Sequence, residues 1–388
     1  MMANTKRQVP NLRFKGFTDD WEQRKLGEIT KTHSFKQYIS EAFDHGKYMV
    51  IQQGENPIAG YANGDPFENF KDVTLFGDHT LSLFKPQEKF FVASDGIKIL
   101  SPSLKMDGMF YYYLLEKYRP QSEGYKRHFT IMKKSTALFP IEIDEQIKIS
   151  NFLKELDSLI VLHQRKLDHL EEQKKGFLQK MFPKRGQTVP EIRFPGFTDA
   201  WEQRKLGEVA EKITKGTTPH DKRWFGPVNY VKTESIDSNN GNISVVANTS
   251  LEEHEGYLKR SQLEKDDVLF SIVGTLGRVG VVKKKDLPAN TNQQICIIRP
   301  FKENSFFLLN ALKTNRVKSF IKSDATIGAQ PSLSLWQIEG LRIPFPILEE
   351  QQKIGKFFQQ LDSLIALHQR KQNYLKLLKK SLLQQMFM

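Results

Sequence analysis

Side chains able to neutralise phosphates and read base edges gather in a few short segments of this sequence. Lys and Arg do the first job; Asn, Gln, Arg, Ser and Thr do the second. One set lies between residues 30 and 140. SFKQY supplies Lys36, Gln37 and Tyr38, and IQQGEN supplies Gln52 and Gln53. GYANGD supplies Tyr61 and Asn63, and YKRH supplies Lys126 and Arg127. A second set lies between residues 210 and 346. KGTTPHDKRW offers Lys215, Thr217, Thr218, Lys222 and Arg223. VGTLGRVG places Arg278 on a glycine-rich turn, where backbone can approach a phosphate closely. NTNQQ and GAQPSLS add Asn292, Gln293, Gln330 and Ser332. Taken singly, each segment also reads as a solvated turn; together they point to nucleic-acid contact.

Other chemistry is missing. There is no GxxxxGK(S/T) phosphate loop, GxGxxG, HExxH or GxSxG. Nor is there the Asn/Asp-Pro-Pro-aromatic tetrapeptide that amino-methyltransferases use. The single cysteine, Cys296 in QQICIIRP, excludes internal disulfides and cysteine-cluster metal sites. We read it as a buried strand residue. No catalytic residue and no metal site is expected.

A formal net charge of +13 and a pI near 9.4 favour a polyanionic partner. The excess is spread over the chain, with +5 on residues 210–346 and +4 on 347–388, rather than held in a tail. No apolar run is long enough to cross a bilayer, and MMANTKRQVP lacks a signal-peptide core. A cytoplasmic protein is expected.

What positions these segments is a duplicated frame. VPNLRFKGFTDDWEQRKLGEI (9–29) recurs as VPEIRFPGFTDAWEQRKLGEV (189–209), identical at 16 of 21 positions. EQIKISNFLKELDSLIVLHQRKLDHLEEQKKGFLQKMF (145–182) recurs as EQQKIGKFFQQLDSLIALHQRKQNYLKLLKKSLLQQMF (350–387). The regions between, about 30–140 and 210–346, share no clear similarity. A kept frame with divergent contents suggests that the contents decide what is bound; drift after duplication is the plainer alternative.

In each leader, an extended PxxRFxGF stretch is expected to run into a short helix. Asp19 and Asp199 would cap it, with Glu22 and Glu202 completing a capping box. Trp21, Leu26, Trp201 and Leu206 should face a core. The later repeats read as long helices with apolar residues stepping by three and four, a coiled-coil signal. At ~1.5 Å per residue each spans about 57 Å. The expected packing residues are Phe152, Leu156, Leu159, His163 and Leu167 on the first helix. On the second they are Phe357, Leu361, Leu364, His368 and Leu375. His163 and His368 read as register-setting polar groups, with metal ligation the alternative; Lys174 also falls on the seam. The variable regions read as strands and turns, with YMVIQQ (48–53), DVLFSIVG (267–274), VGVVKK (279–284) and QICIIRP (294–300) as strands. PKRGQTVPE (183–191) reads as a linker.

The twice-used RFxGFTDxWEQRKLGE leader and the LDSLI–LHQRK helix resemble the specificity subunits of Type I restriction-modification systems. So do DVLFSIVGTLGRVG, ANTNQQICIIRP, GAQPSLSLWQIEGLRIPFP and DVTLFGDHTLSLF. The similarity covers essentially the whole chain. It implies an α+β fold with two target recognition domains held apart by antiparallel helices, with approximate two-fold symmetry. The divisions would be 1–140, 141–182, 183–346 and 347–388: domain, spacer helix, domain, spacer helix. It implies double-stranded DNA as ligand, with a bipartite target and an unread spacer. The partners would be two adenine-methyltransferase (modification) subunits and ATP-dependent restriction subunits. S-adenosylmethionine, ATP and Mg would bind those partners, and this chain would carry no cofactor. Recognition residues diverge across the family, so the candidates above rest on residue chemistry. The competing readings are a basic coiled-coil scaffold that reads no DNA, and a nuclease with dispersed acidic residues.

Overall fold

The computed structural model describes residues 9–387 except 123, 125, 126 and 327. The chain divides into two compact units. The first runs through Gln164 and includes the chain from Arg370 onward; the second runs from Arg165 to Gln369.

In the first unit the strands are β1 (Glu22–Lys25), β2 (Thr30–His33), β3 (Tyr48–Ile51), β4 (Ile58–Ala62), β5 (Thr74–Gly77), β6 (Leu83–Phe84), β7 (Phe90–Val92), β8 (Ile97–Pro102) and β9 (Thr136–Phe139). With them come helices α1 (Leu26–Ile29), α2 (Gly108–Lys117), α3 (His128–Lys134) and the start of α4 (Ile143–Lys180). The second unit holds β10 (Glu202–Lys205), β11 (Ala210–Lys215), β12 (Val228–Val231), β13 (Asn248–Thr249), β14 (Val268–Ser271), β15 (Val279–Val281), β16 (Ala289–Thr291), β17 (Ile295–Pro300) and β18 (Arg342–Phe345). Its helices are α5 (Leu206–Val209), α6 (Leu251–Glu255), α7 (Ser305–Ala311), α8 (Asn315–Asp324), α9 (Leu335–Gly340) and the start of α10 (Leu348–Met386).

The two units share one topology. The first has sheets β1-β9, β2-β8-β5-β6 and β4-β3-β7; the second has β10-β18, β11-β17-β14-β15 and β13-β12-β16. Even the odd parallel pairing recurs, β3 with β7 and β12 with β16. Regions without clear sequence similarity therefore fold alike. Their strands are short, and those buried on both faces, such as β14 (VLFS) and the first four residues of β17 (ICII), need only be apolar.

The frame accounts for this. In unit 1 Arg13 clamps Glu145 with two hydrogen bonds, 2.7 and 2.8 Å. In unit 2 Arg193 clamps Glu350 the same way, both 2.7 Å. The next residues, Gln146 and Gln351, accept from the backbone N–H of Asp107 (2.9 Å) and Asn304 (3.0 Å). Asp107 and Asn304 in turn cap α2 and α7. The MF that closes each long repeat fills a core. Phe387 stacks on Phe110 and meets Trp21 edge-on; Phe182 stacks on Phe307 and meets Trp201 edge-on.

The expected long helices are present, 38 and 39 residues. In unit 1 the first half of α4 lies antiparallel to the second half of α10: Gln372 donates to Gln164 and Lys379 pairs with Asp157 (2.8 Å). In unit 2 the second half of α4 lies antiparallel to the first half of α10, with Lys174 on Asp362 (2.6 Å) and Phe177 on Phe357. Lys174 and Lys379 are equivalent in the repeat, so the seam lysine has an ionic partner in both units. Burial pushes the Asp362 carboxyl pKa up, and Lys174 opposes the shift.

Two expectations are corrected. WEQRK is not helical: Glu22–Lys25 and Glu202–Lys205 are strands paired with β9 and β18. Asp19 and Asp199 therefore cap nothing, and Glu22 and Glu202 complete no capping box. The helices begin at Leu26 and Leu206, where the Lys25 and Lys205 N–H groups donate to Glu28 (3.4 Å) and Glu208 (3.1 Å). Strand partners more than 100 residues away outweigh the local signal. Trp21, Leu26, Trp201 and Leu206 are buried as expected. The seam is also shifted. Leu159 and Leu364 are 43% and 44% exposed, and their neighbours Ile160 and Ile365 turn inward instead. The inward positions run 149, 153, 156, 160, 163 and 167, alternating fours and threes. Leu156, Leu167 and Leu361 are buried, and Leu375 packs on the first core. Phe152 faces the leader's Phe14; Phe357 meets both Phe177 and the leader's Phe194. His163 and His368 are half-buried on the seam.

Candidate nucleic-acid interface

In unit 2 the strand order collects loops at one sheet edge. Lys215, the last residue of β11, stands opposite Cys296; Ser271, the last of β14, stands opposite Ile295. The C-terminal ends of β11 and β14 thus flank the N-terminal end of β17. The turn after β16 joins them: Thr217 N–H donates to Thr291 (2.9 Å), and Ile272 N–H to Gln294 (2.8 Å). Gly216 permits that approach, since a Cβ there would lie 2.1 Å from the Thr291 carbonyl oxygen. A fourth segment arrives through Gly274 N–H on Pro331 (2.9 Å) and the bridge between Val273 and Ser332.

This edge brings together Lys215, Thr218, Asn292, Gln293, Gln330 and Ser332. Lys215, Gln293 and Gln330 are exposed. Thr218 donates to the Gln293 side-chain carbonyl oxygen (2.9 Å), a bond that uses the amide's acceptor and not its NH2 donors. Asn292 holds Gln294 (3.1 Å), and the Ser332 hydroxyl bonds Thr326 (3.0 Å). Lys222 and Arg223 lie further along the β11–β12 connection, both exposed. Arg223 grips Asp221 at 3.0 and 2.8 Å, and its guanidinium pulls that carboxyl down to about 2. The pair is exposed to solvent, where such an ion pair adds little stability.

Two candidates are consumed internally. Thr217 is buried, its hydroxyl accepting from Arg260 (2.8 Å) and its carbonyl from Tyr230 (2.9 Å). Arg278 is half-buried and donates to the carbonyls of Thr233 and Ile236, both 3.2 Å. It braces a turn rather than reaching outward. Cys296 is fully buried on β17, where burial pushes its thiol pKa up.

Unit 1 builds the same edge. His33 ends β2 opposite Ile99, and Gly77 ends β5 opposite Ile97 at the start of β8. Lys36 and Gln37 follow β2 and are exposed; Tyr38 is half-buried with its ring on Phe67. Gln52 is exposed and donates to Asn56 (2.9 Å). Gln53 is spent on packing: it fills the space over Gly77 and Gly96 and accepts from His79 N–H (3.3 Å). Arg127 is exposed and reaches this edge because His128 N–H donates to Asp78 (3.1 Å), just past β5. Lys126 lies outside the described residues. Tyr61 and Asn63 are not brought here. Tyr61 pairs with Met49, and Asn63 accepts from Lys47 N–H (3.0 Å), at the opposite end of β3 from Gln52.

The reading from residue types passed over several exposed aromatic side chains, two phenylalanines among them. Phe225 is 86% exposed and Phe43 57% exposed. Their signal is a phenylalanine in a polar, glycine-bounded loop, KRWFGP and AFDHGK.

Comparison with known proteins gives one answer. The family described as "Type I restriction modification DNA specificity domain" matches residues 18–172 and again 198–377. The MjaVIII Type I restriction enzyme specificity subunit of Methanocaldococcus jannaschii is 25% identical over 94% of this chain and 91% of its own length. The EcoBI specificity subunit of Escherichia coli is 30% identical over a shorter stretch, 26% of this chain and 22% of that one. Among solved structures, a Type I restriction-modification S subunit from M. genitalium superposes with a TM-score of 0.59 at 18% identity, covering 98% of this chain and 99% of that one.

Proposed function

The chain belongs to the Type I restriction-modification DNA specificity family, and from that premise we propose that each unit reads one half of a split DNA target. Its role is recognition, as a non-catalytic specificity subunit that works with the other subunits of a restriction-modification system. One observation carries the two-reader proposal. The units repeat one strand order, while the side chains on the corresponding edges differ: Lys36, Gln37, Gln52 and Arg127 in one, Lys215, Gln293 and Gln330 in the other. A shared scaffold with different hydrogen-bonding groups suits two unlike half-sites.

The domain divisions proposed above follow the repeats: readers at 1–140 and 183–346, helices at 141–182 and 347–388. We assign two modification subunits and the restriction subunits as partners, and S-adenosylmethionine, ATP and Mg to those partners. A cytoplasmic setting follows from that company. Among the described residues no helix is long and apolar enough to cross a membrane. The test is to co-express the chain with its modification subunits and map methylated adenines genome-wide. A single split motif with a fixed spacer supports the reading, and exchanging residues 30–140 should then replace one half only. No new methylation from an assembled complex would favour the scaffold alternative.

A further inference from the structure

One connection is much longer in unit 2 than in unit 1. Between the central strand of the three-stranded sheet and its antiparallel neighbour, unit 1 has residues 52–57 and unit 2 has residues 232–247. Midway along the longer one, Asp237 closes a tight turn by accepting the N–H groups of Asn239 (2.8 Å) and Asn240 (2.9 Å). The tip is closely packed. A Cβ on Gly241 would stand 2.7 Å from Leu309 Cδ1 and 2.8 Å from the Val279 carbonyl oxygen, and Lys283 donates to the Asn242 side chain (2.7 Å). Here the Asn239 carbonyl accepts from two lysines, Lys174 of α4 (2.7 Å) and Lys313 (3.1 Å). Lys174 also pairs with Asp362 of α10 (2.6 Å), so the tip is fastened to the helix seam. In unit 1 the equivalent lysine, Lys379, is satisfied differently, by Glu116 and Asp157, both 2.8 Å. Glu116 occupies the position that Lys313 holds in unit 2, each nine residues past its cap, Asp107 or Asn304.

The start of the same connection meets the reading edge. Arg278 donates to the Thr233 and Ile236 carbonyls, both 3.2 Å. Its own N–H donates to the Ser271 hydroxyl (2.8 Å), and its carbonyl accepts from Ser271 N–H (2.9 Å), which closes the loop 271–278. On that loop Gly274 N–H donates to Pro331 (2.9 Å) and Val273 bridges to Ser332, next to the exposed Gln330. Ile236 and Asn239 are three residues apart and the Asp237 turn stiffens the span, so a shift at the seam is passed to Arg278. We propose that this connection is a strut. Lys174 at the seam and Arg278 at the loop are then positioning residues, which set where Gln330 and Ser332 meet the half-site of unit 2. This rests on the two-reader proposal above. Base readout by hydrogen bonds weakens steeply with distance and angle, so a small displacement of the loop relaxes preference. Unit 1, with its shorter connection, does not respond to its own seam lysine in this way.

The experiment uses the full chain assembled with its modification subunits, in competition binding against target duplexes with one base pair changed at a time across both half-sites. Lys174→Met should relax preference by about three- to tenfold at the positions that Gln330→Ala relaxes, and leave the other half-site within about twofold. Arg278→Met should relax the same positions. Both act through one strut, so the double variant should match the larger single effect rather than the product of the two. Two controls separate position from stability. Lys379→Met, the unit 1 counterpart, should relax no base pair, and Arg193→Ala should lower the unit 2 midpoint without relaxing any. If Lys174→Met does not assemble, Asn242→Ala loosens only the tip and should relax the same positions more weakly. Preference unchanged from wild type in the variant that assembles overturns the strut, as do Lys174→Met and Arg278→Met effects that multiply; the turn would then only cover the seam. Equal relaxation in either control overturns it too, because lost stability would explain the effect. A wild-type complex that fails to discriminate target from non-target DNA overturns the two-reader proposal and the strut with it.

Discussion

Arg193→Ala should destabilise the second unit severely, although the residue belongs to none of the candidate DNA-contacting segments. Glu350 has no exposed side-chain surface, and Arg193 is 12% exposed. Their two hydrogen bonds and the bond from Arg193 to the Asp199 carbonyl (2.7 Å) all vanish in the variant. Leaving one charge of a buried pair uncompensated costs about 3–5 kcal/mol. Glu350 lies in the first turn of α10, whose N-terminal partial charge returns about 0.5–1 kcal/mol. The net loss is then about 2–4 kcal/mol. In a unit of about 200 residues each kcal/mol moves the midpoint by about 2–4 °C, so Tm should fall by roughly 5–15 °C. Tryptophan fluorescence separates the units, because Trp21 lies in the first and Trp201, Trp224 and Trp336 lie in the second. Adding Glu350→Leu should recover most of the loss, since an apolar pair replaces a buried ion pair at little cost. Arg13→Ala should act equally on unit 1, through Glu145. A midpoint shift below about 2 °C for Arg193→Ala would refute the reasoning.

Lys313→Met should stabilise unit 2 near neutral pH by about 1–2 kcal/mol, because burial lowers the Lys313 pKa to about 8. The unfolded chain holds that proton more tightly, so wild-type stability rises between pH 8 and 10.5. The variant's advantage is full below pH 8 and gone above 10.5; denaturant titrations at pH 7 and 11 check this. The Asn239 carbonyl keeps Lys174 as donor. Gln293→Ala and Gln330→Ala should each relax preference at one base position by about 1–3 kcal/mol, whereas Lys215→Ala should weaken all sequences alike and lower the salt slope by about one; competition binding at two salt concentrations distinguishes these. Adding four residues to each long helix, after Gln164 and after Gln369, should lengthen the preferred spacer by about two base pairs or abolish binding, since four residues add ~6 Å. An unchanged spacer in the methylation map would sink the idea that helix length sets it.

The sequence by itself determined the repeat, the two long helices to within two residues at either end, and the short strands around 48–51, 268–271, 279–281 and 295–300. Those features follow from composition and periodicity over a few turns. Only the tertiary structure decided whether WEQRK becomes helix or strand, because β9 and β18 lie far along the chain. It also decided which member of each Leu–Ile pair in LDSLI turns inward, since both are apolar and only the facing helix distinguishes them. The candidate contacts divide for the same reason. Thr217, Arg278 and Gln53 carry the right groups but find partners inside the protein, whereas Lys215, Gln293 and Gln330 remain exposed. Whether a polar side chain is free to meet a ligand depends on what the fold brings within hydrogen-bonding distance of it, and for Gln53, Thr217 and Arg278 those neighbours come from 26 to 45 residues away.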